Sequence, residues 1–233
     1  MEIDFSIRTV TTIYPFGIEI QITETIVNTW IIMAFMIIGA FVLRHFFEKA
    51  KAKKDGVPES NLQNAVELIV ETMEKLATGP LGKKYLWLDN WFFMLLAFLI
   101  FSNISGLLTF RPPTADAATT LALSTATFLI VQIMALRFEP KAHLKSLVQP
   151  FPIFLPMNII GELAIIISLG FRIFGNILAG TILMGLVYGL LPWFATIGFG
   201  AALSFYFDLF AGVIQALIFC MLSMTFVGNK LKT

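Results

Sequence analysis

Ser168-Leu-Gly-Phe-Arg172-Ile-Phe-Gly-Asn176-Ile-Leu-Ala-Gly-Thr181 sets one guanidinium inside an apolar run. From Met157 to Leu191 the only ionisable side chains of consequence are Glu162 and Arg172. A run this long and this apolar reads as a membrane helix. An arginine cannot shed its proton in a protein, and at membrane depth its charge is costly and by default functional. The stretch therefore decides two matters at once. The chain lives in a bilayer, and Arg172 is where its function is to be sought.

The rest of the composition agrees. Of the 233 residues, 58% are hydrophobic and 13% charged, against about 45–50% and about 25% in soluble domains. A formal charge of +1 gives no reason to expect nucleic acid. Cys220 is alone, which leaves no disulfide or metal reading and makes it a small buried hydrophobe. His45 and His143 sit in charged, loop-like stretches with no second ligand at helical spacing. There is no glycine-rich phosphate loop, nucleophile elbow or zinc signature. No cofactor, metal or nucleotide is expected on this chain, and no catalysis by it alone. The acidic N-terminus and the positive charges after the first apolar run argue against a cleaved signal.

The pattern predicts an all-α integral membrane protein, one polytopic domain with spans at 25–47, 87–110, 117–138, 158–189 and 195–228. Residues 1–24 read as an ordered or semi-ordered tail, interrupted at Pro15 and Gly17. The segment 61–77 reads as an amphipathic helix: Leu62, Val66, Ile69, Val70 and Met73 recur at helical spacing, with Gln63, Glu67, Glu71 and Glu74 elsewhere. It would lie on the membrane surface or pack on a partner, the plainer reading being a solvated connector. The stretch 139–156, with four prolines, reads as a loop. Asp116, after Arg111-Pro-Pro-Thr-Ala, is suited to begin a helix.

Charge sets the orientation. Of the 16 Lys and Arg, 13 fall in the segments 44–84, 137–145 and beyond 229, all on one side of the five-span topology. The positive-inside rule makes that side cytoplasmic. The N-terminus is then outside and the C-terminus inside. The last two spans are too long to stand upright, because 32 residues rise about 48 Å against a hydrocarbon core of about 30 Å. They are expected to be strongly tilted, kinked or protruding. Gly161, Gly170, Gly175, Gly180 and Gly185 would let another helix approach closely.

Depth then orders the polar groups. Glu162 falls near the inner end, Arg172 near the middle and Thr181 in the outer half. On the last span Asp208 falls in the outer half and Gln215 near the depth of Arg172. At 100° per residue, Ser168, Arg172 and Asn176 share a face, Thr181 lies roughly opposite, and Asp208, Gly212, Gln215 and Phe219 share a face. A fixed cation lies between an inner and an outer acid, each able to line a half-channel from its own side. A carboxylate brought 4 Å from Arg172 by a partner would gain about 4 kcal/mol at an effective dielectric of about 20. That is about a thousandfold in affinity, enough to strip a buried acid of its ion. An internal Arg–Glu or Arg–Asp pair is the structural alternative.

These residues resemble subunit a of the F-type ATP synthases, the stator half of the membrane motor. The resemblance runs through most of the chain. It is strongest at Gly161-Glu-Leu and Ser168-Leu-Gly-Phe-Arg172-Ile-Phe-Gly-Asn176-Ile-Leu-Ala-Gly180, and includes Pro113-Thr-Ala-Asp116 with Thr119-Thr-Leu-Ala, and Asp208 to Gln215. It implies that Arg172 is the essential arginine facing a ring of c subunits. It places Ser168, Asn176 and Gln215 beside it, Glu162 on a cytoplasmic half-channel, and Asp208, Thr181 and Asp116 along the ion path. Implied partners are the c-ring, a b-type peripheral stalk, the other ATP synthase subunits and membrane lipid. The implied coupling ion is H⁺, with Na⁺ as the alternative. Two positions depart from the family: Thr181 stands where many relatives carry a glutamate, and Ile165-Ile166 is apolar where relatives are often polar. Two other readings are a stand-alone channel or secondary transporter, for which no internal repeat is visible, and a scaffold whose polar groups only join helices.

Overall fold

A computed structural model of the chain describes residues 9–14, 17, 19–51, 61–107, 110–190, 198 and 200–231. Five helical segments are long and apolar enough to cross a membrane: Glu24–His45, Lys83–Leu107, Ala117–Phe138, Pro152–Leu190 and Ala202–Leu231. The predicted all-α membrane fold is thus observed. The stretch 191–197, which carries the start of the fifth predicted span, lies outside the described residues.

The described part of the N-terminal stretch forms a hairpin. Its β-branched Thr9-Val-Thr-Thr-Ile13 forms β1 (Thr9–Ile13), paired antiparallel with β2 (Ile20–Thr23), as such residues favour. Gly17 between them has φ +80°, a backbone that only glycine adopts freely. The hairpin leads directly into α1 (Glu24–Lys51).

Helix α2 (Asn61–Leu81) extends past the predicted end at residue 77. Its later turns bury Met73, Ala77 and Leu81, spaced at i, i+4 and i+8, within the main core. It is therefore not a solvated connector. Its earlier turns leave Leu68, Ile69 and Val70 exposed. A short 3₁₀ turn (Lys83–Leu88) enters α3 (Asp89–Leu107), and a second (Pro113–Ala115) precedes α4 (Ala117–Phe138). The stretch predicted as loop after α4 contains a further helix, α5 (Pro140–Val148), started by proline at its first turn. Then come α6 (Leu155–Leu190) and a rod made of α7 (Ala201–Ser204), a π-helical segment (Phe205–Ala211) and α8 (Gly212–Leu231).

Helix α8 is the central post. Phe219, Met224 and Val227 are fully enclosed against Phe92 and Leu99 of α3, Val131 and Met134 of α4, and the buried stripe of α2. Two glycines fix its place. A Cβ on Gly228 would run into the Pro80 carbonyl of α2, so these backbones touch. A Cβ on Gly212 would lie 3.0 Å from Asn103 of α3.

Helix α6 is different. Its 36 residues rise about 54 Å, well beyond a core of about 30 Å. Within it only Leu169, Gly170, Ile173 and Gly180 are buried. Gly170 lets α6 press onto α4, where a Cβ would meet Leu121 Cδ2 and Ser124 Oγ, each at 2.9 Å. Gly180 sits against Phe207, while Gly161 and Gly175 face open space. The expected glycine approach is thus used within the chain at two positions and left open at two others.

Candidate functional site

Of the buried residues of α6, Gly170 lies nearly opposite Arg172 around the helix, whereas Leu169 lines the same groove as Arg172. Ser168, Arg172 and Asn176, which share a helical face, are all exposed, and so is Gly175. Arg172 stands at the middle of α6. Among the described residues it makes no hydrogen bond and no ion pair, so the internal Arg–Glu pair considered from the sequence is not formed.

One turn above Arg172, Asn176 Nδ2 donates to Gln215 Oε1 of α8 at 2.8 Å. This bond joins the two long helices beside the guanidinium. Gln215 is buried, and its Nε2 has no partner. An amide donor left unmade away from water carries a penalty of about 1–3 kcal/mol, so the glutamine is a half-satisfied group next to the one unpaired charge of α6.

Below Arg172 an open groove of about 270 Å³ runs between α6 and α8, lined by Gly161, Ile165, Ser168, Arg172, Leu222 and Phe226, among others. Its wall is apolar at Ile165, as the sequence had suggested. Polar groups occupy its upper end. Near its lower end lies a cluster whose members come from four elements. Glu162 Oε2 accepts from Gln132 Nε2 of α4 at 2.6 Å. Glu162 Oε1 is ion-paired with Lys230 of α8. Lys230 Nζ lies 3.3 Å from His143 Nδ1 of α5. The first turn of α6 is tied to α5 by Asn158 Nδ2, which donates to the carbonyls of Leu147 and Gln149 at 2.8 and 3.0 Å. His143 is buried, and burial first, then the Lys230 charge, hold it below the usual imidazole range, with Glu162 opposing.

The outer groups are arranged otherwise. Asp116 caps α4, its Oδ1 accepting from Ala118 N at 2.9 Å and its Oδ2 from Thr25 Oγ1 at 3.2 Å. Both oxygens are committed to joining α1, α4 and the turn between α3 and α4. Thr181 is exposed and turns its hydroxyl back to the Ile177 carbonyl at 2.9 Å. Asp208 lies in the π-helical segment; its side chain is outside the described residues. Gly212, Gln215 and Phe219 share one face, as their spacing predicts, and that face is buried. The phase that would link Asp208 to that face is that of a regular α-helix. The wider π-helical turn between them (i→i+5 bonding) changes it, a correction that sequence periodicity alone could not supply.

The family described as ATP synthase A chain matches residues 26–228. The chain belongs to that family. It is 32% identical over 228 residues to ATP synthase subunit a 1 of Prosthecochloris aestuarii, covering 95% of each chain. It is 30% identical over 247 residues to the sodium ion specific ATP synthase subunit a of Propionigenium modestum, covering 94% of this chain and 80% of that one. With ATP synthase subunit a of Moorella thermoacetica the identity is 29% over 215 residues, with 90% and 91% covered. Membership makes this a multi-pass membrane protein of ATP synthesis and ion transport.

Within this family member, sequence reading missed three residues that the fold gathers around Glu162. Lys230 counted only as an inside charge near the C-terminus. His143 read as a polar loop residue, yet it is enclosed in α5. Gln132 carried the one usable signal, a lone amide inside the apolar run Thr127-Phe-Leu-Ile-Val-Gln132-Ile-Met-Ala-Leu136. Cys220 is buried, as its apolar setting predicts.

Proposed function

We infer that the chain is the ion-translocating stator subunit of the membrane sector of a rotary ATP synthase, a single polytopic domain with its N-terminus outside and its C-terminus cytoplasmic. In this reading Arg172 faces a ring of c subunits and separates two offset half-channels. The inner one follows the groove from Glu162 past Ser168 to Arg172, closed on its open side by the ring. The outer one passes Asp208 and Thr181 toward Asn176 and Gln215, with Asp116 near its entrance. An ion enters one half-channel, neutralises a ring carboxylate, travels round, and is released where Arg172 attracts that carboxylate. The chain performs no catalysis. Its partners are the ring, a b-type peripheral stalk and the remaining subunits.

The observation that carries this reading is Arg172 itself: a mid-helix guanidinium, exposed and without a partner among the described residues, at the open groove between α6 and α8. A structural arginine would be paired. A travelling carboxylate needs one that is not. In whole complexes in inverted membrane vesicles, Arg172→Ala should abolish ATP-driven ion pumping with the subunit still present. Coupled pumping that survives the substitution would overturn the assignment.

The coupling ion we take to be H⁺. Similarity to a relative named sodium ion specific supports Na⁺ as a second reading. The two separate in one measurement: with Na⁺ as coupling ion, added Na⁺ stimulates ATP hydrolysis by the complex and protects it from a carbodiimide, and with H⁺ it does neither.

A further inference from the structure

The groove and the cluster below it are parts of one arrangement. Leu222, Phe226 and Lys230 follow one another at i+4 along α8. The first two line the groove, and Lys230 continues the same stripe one turn further in, where it meets Glu162. On α6, Glu162 adjoins Gly161, the groove's lowest lining residue. Glu162 and Lys230 are both largely enclosed, with side-chain exposures of 17% and 21%. Each Glu162 oxygen has its own donor, Lys230 on one and Gln132 on the other.

We propose that Lys230, with Gln132, is a positioning residue for ion passage: it clamps the Glu162 carboxylate at the inner mouth of the groove that leads to Arg172. A carboxylate held at both oxygens keeps one position at the mouth of the groove. There its negative charge attracts cations that enter from the inner side. The amide and the ammonium come from α4 and α8, so the carboxylate's place is set by the packing of three helices rather than by α6 alone. His143 Nδ1 lies 3.3 Å from the same ammonium, whose one anionic partner among the described contacts is Glu162. The inference rests on the functional reading above.

The test uses whole complexes in inverted vesicles, with ATP-driven acidification read by a pH-sensitive dye. Lys230→Gln should slow pumping roughly tenfold, within the range of contacting pairs, with normal amounts of the subunit in the complex. Lys230→Arg, which keeps charge and donors, should restore most of the rate. Adding Lys230→Gln to Glu162→Gln should cost less than about twofold beyond Glu162→Gln alone, because the clamp then has nothing to hold. Wild-type pumping in Lys230→Gln refutes the proposal. So does an equal loss in the Gln and Arg variants, or a full additional loss in the double variant, since either marks a purely structural lysine. Arg172→Ala run alongside keeps the two readings apart: if it pumps, the functional assignment fails, and if it does not while Lys230→Gln pumps normally, only the clamp fails.

Discussion

Replacing Gln215 by Glu tests whether Arg172 must lack an internal counter-charge. Asn176 Nδ2 lies 2.8 Å from Gln215 Oε1, and a carboxylate oxygen at that place can accept the same bond. Arg172 is four residues below Asn176, which is about 6 Å along the helix. Opposite unit charges about 6 Å apart at an effective dielectric of about 20 attract by about 3 kcal/mol. The substitution conserves volume, so packing is not the variable. A stator carboxylate of that strength competes with each arriving ring carboxylate, and the expected loss in ATP-driven pumping is up to about a hundredfold. The inhibition should deepen as pH rises, because only the ionised acid competes. Gln215→Leu serves as the comparison: it removes the bond to Asn176 but adds no charge, and should be much milder. The assay is dye-reported acidification of inverted vesicles, with subunit content checked by immunoblot. Pumping by Gln215→Glu that matches Gln215→Leu at every pH would refute the idea that Arg172 is kept unpaired for a purpose.

Other expectations follow from the packing and from the inner cluster. Gly228→Ala sets a methyl against the Pro80 carbonyl, which is backbone and cannot rotate away; overpacking costs about 1–3 kcal/mol or more, and the thermal midpoint of the detergent-purified protein should fall clearly below wild type. Asp116→Ala removes the cap of α4 and the bond from Thr25, a loss of about 0.5–2 kcal/mol that should lower the thermal midpoint without changing which ion is carried. His143 sits below its ordinary range, so the fold favours its neutral form. Its contribution to stability is therefore whole above the ordinary value of about 6.5 and is lost as pH falls through the lowered one. Thermal midpoints measured between neutral and mildly acidic pH should fall in the native protein and fall less in His143→Gln; parallel curves would remove His143 from the account.

Much of this was legible in the sequence because apolar length and charge bias act locally. The third span, 117–138, coincides with α4, which Asp116 starts and Glu139-Pro140 ends. The shared face of Ser168, Arg172 and Asn176 needed only helical periodicity. Features that depend on which helices meet were hidden. Lys230 is 68 residues from Glu162, and nothing in either neighbourhood names the other. The π-helical turn at Phe205–Ala211 has no period of its own in the sequence, so it shifted the reckoning for Asp208. The buried half of α2 was legible only in part: Met73 belongs to the apolar stripe of the sequence, but Ala77 and Leu81, which continue it into the core, lie at or beyond the predicted end of the helix.

The exposure of Arg172 and the thin packing of α6 have one cause. A helix with a mid-membrane cation can be stabilised by giving the cation a partner or by burying the opposite side. The chain takes the second course. Gly170, two residues before Arg172 and nearly opposite it around the helix, admits the side chains of Leu121 and Ser124 so closely that no Cβ fits. That contact fixes the rotation of α6 and thereby aims Arg172 outward. On the outward side Gly161 and Gly175 leave open space above and below the charge, so a facing helix can come near. Such a helix must bring an acceptor to the depth of Arg172, because an apolar one would enclose an unpaired guanidinium at a cost of several kcal/mol. If that acceptor were fixed, its pairing with Arg172 would be permanent and the helices would lock. A succession of acceptors, each held only in passing, satisfies the charge without locking the surface. On the proposed function, this is what a stator has to offer a turning ring.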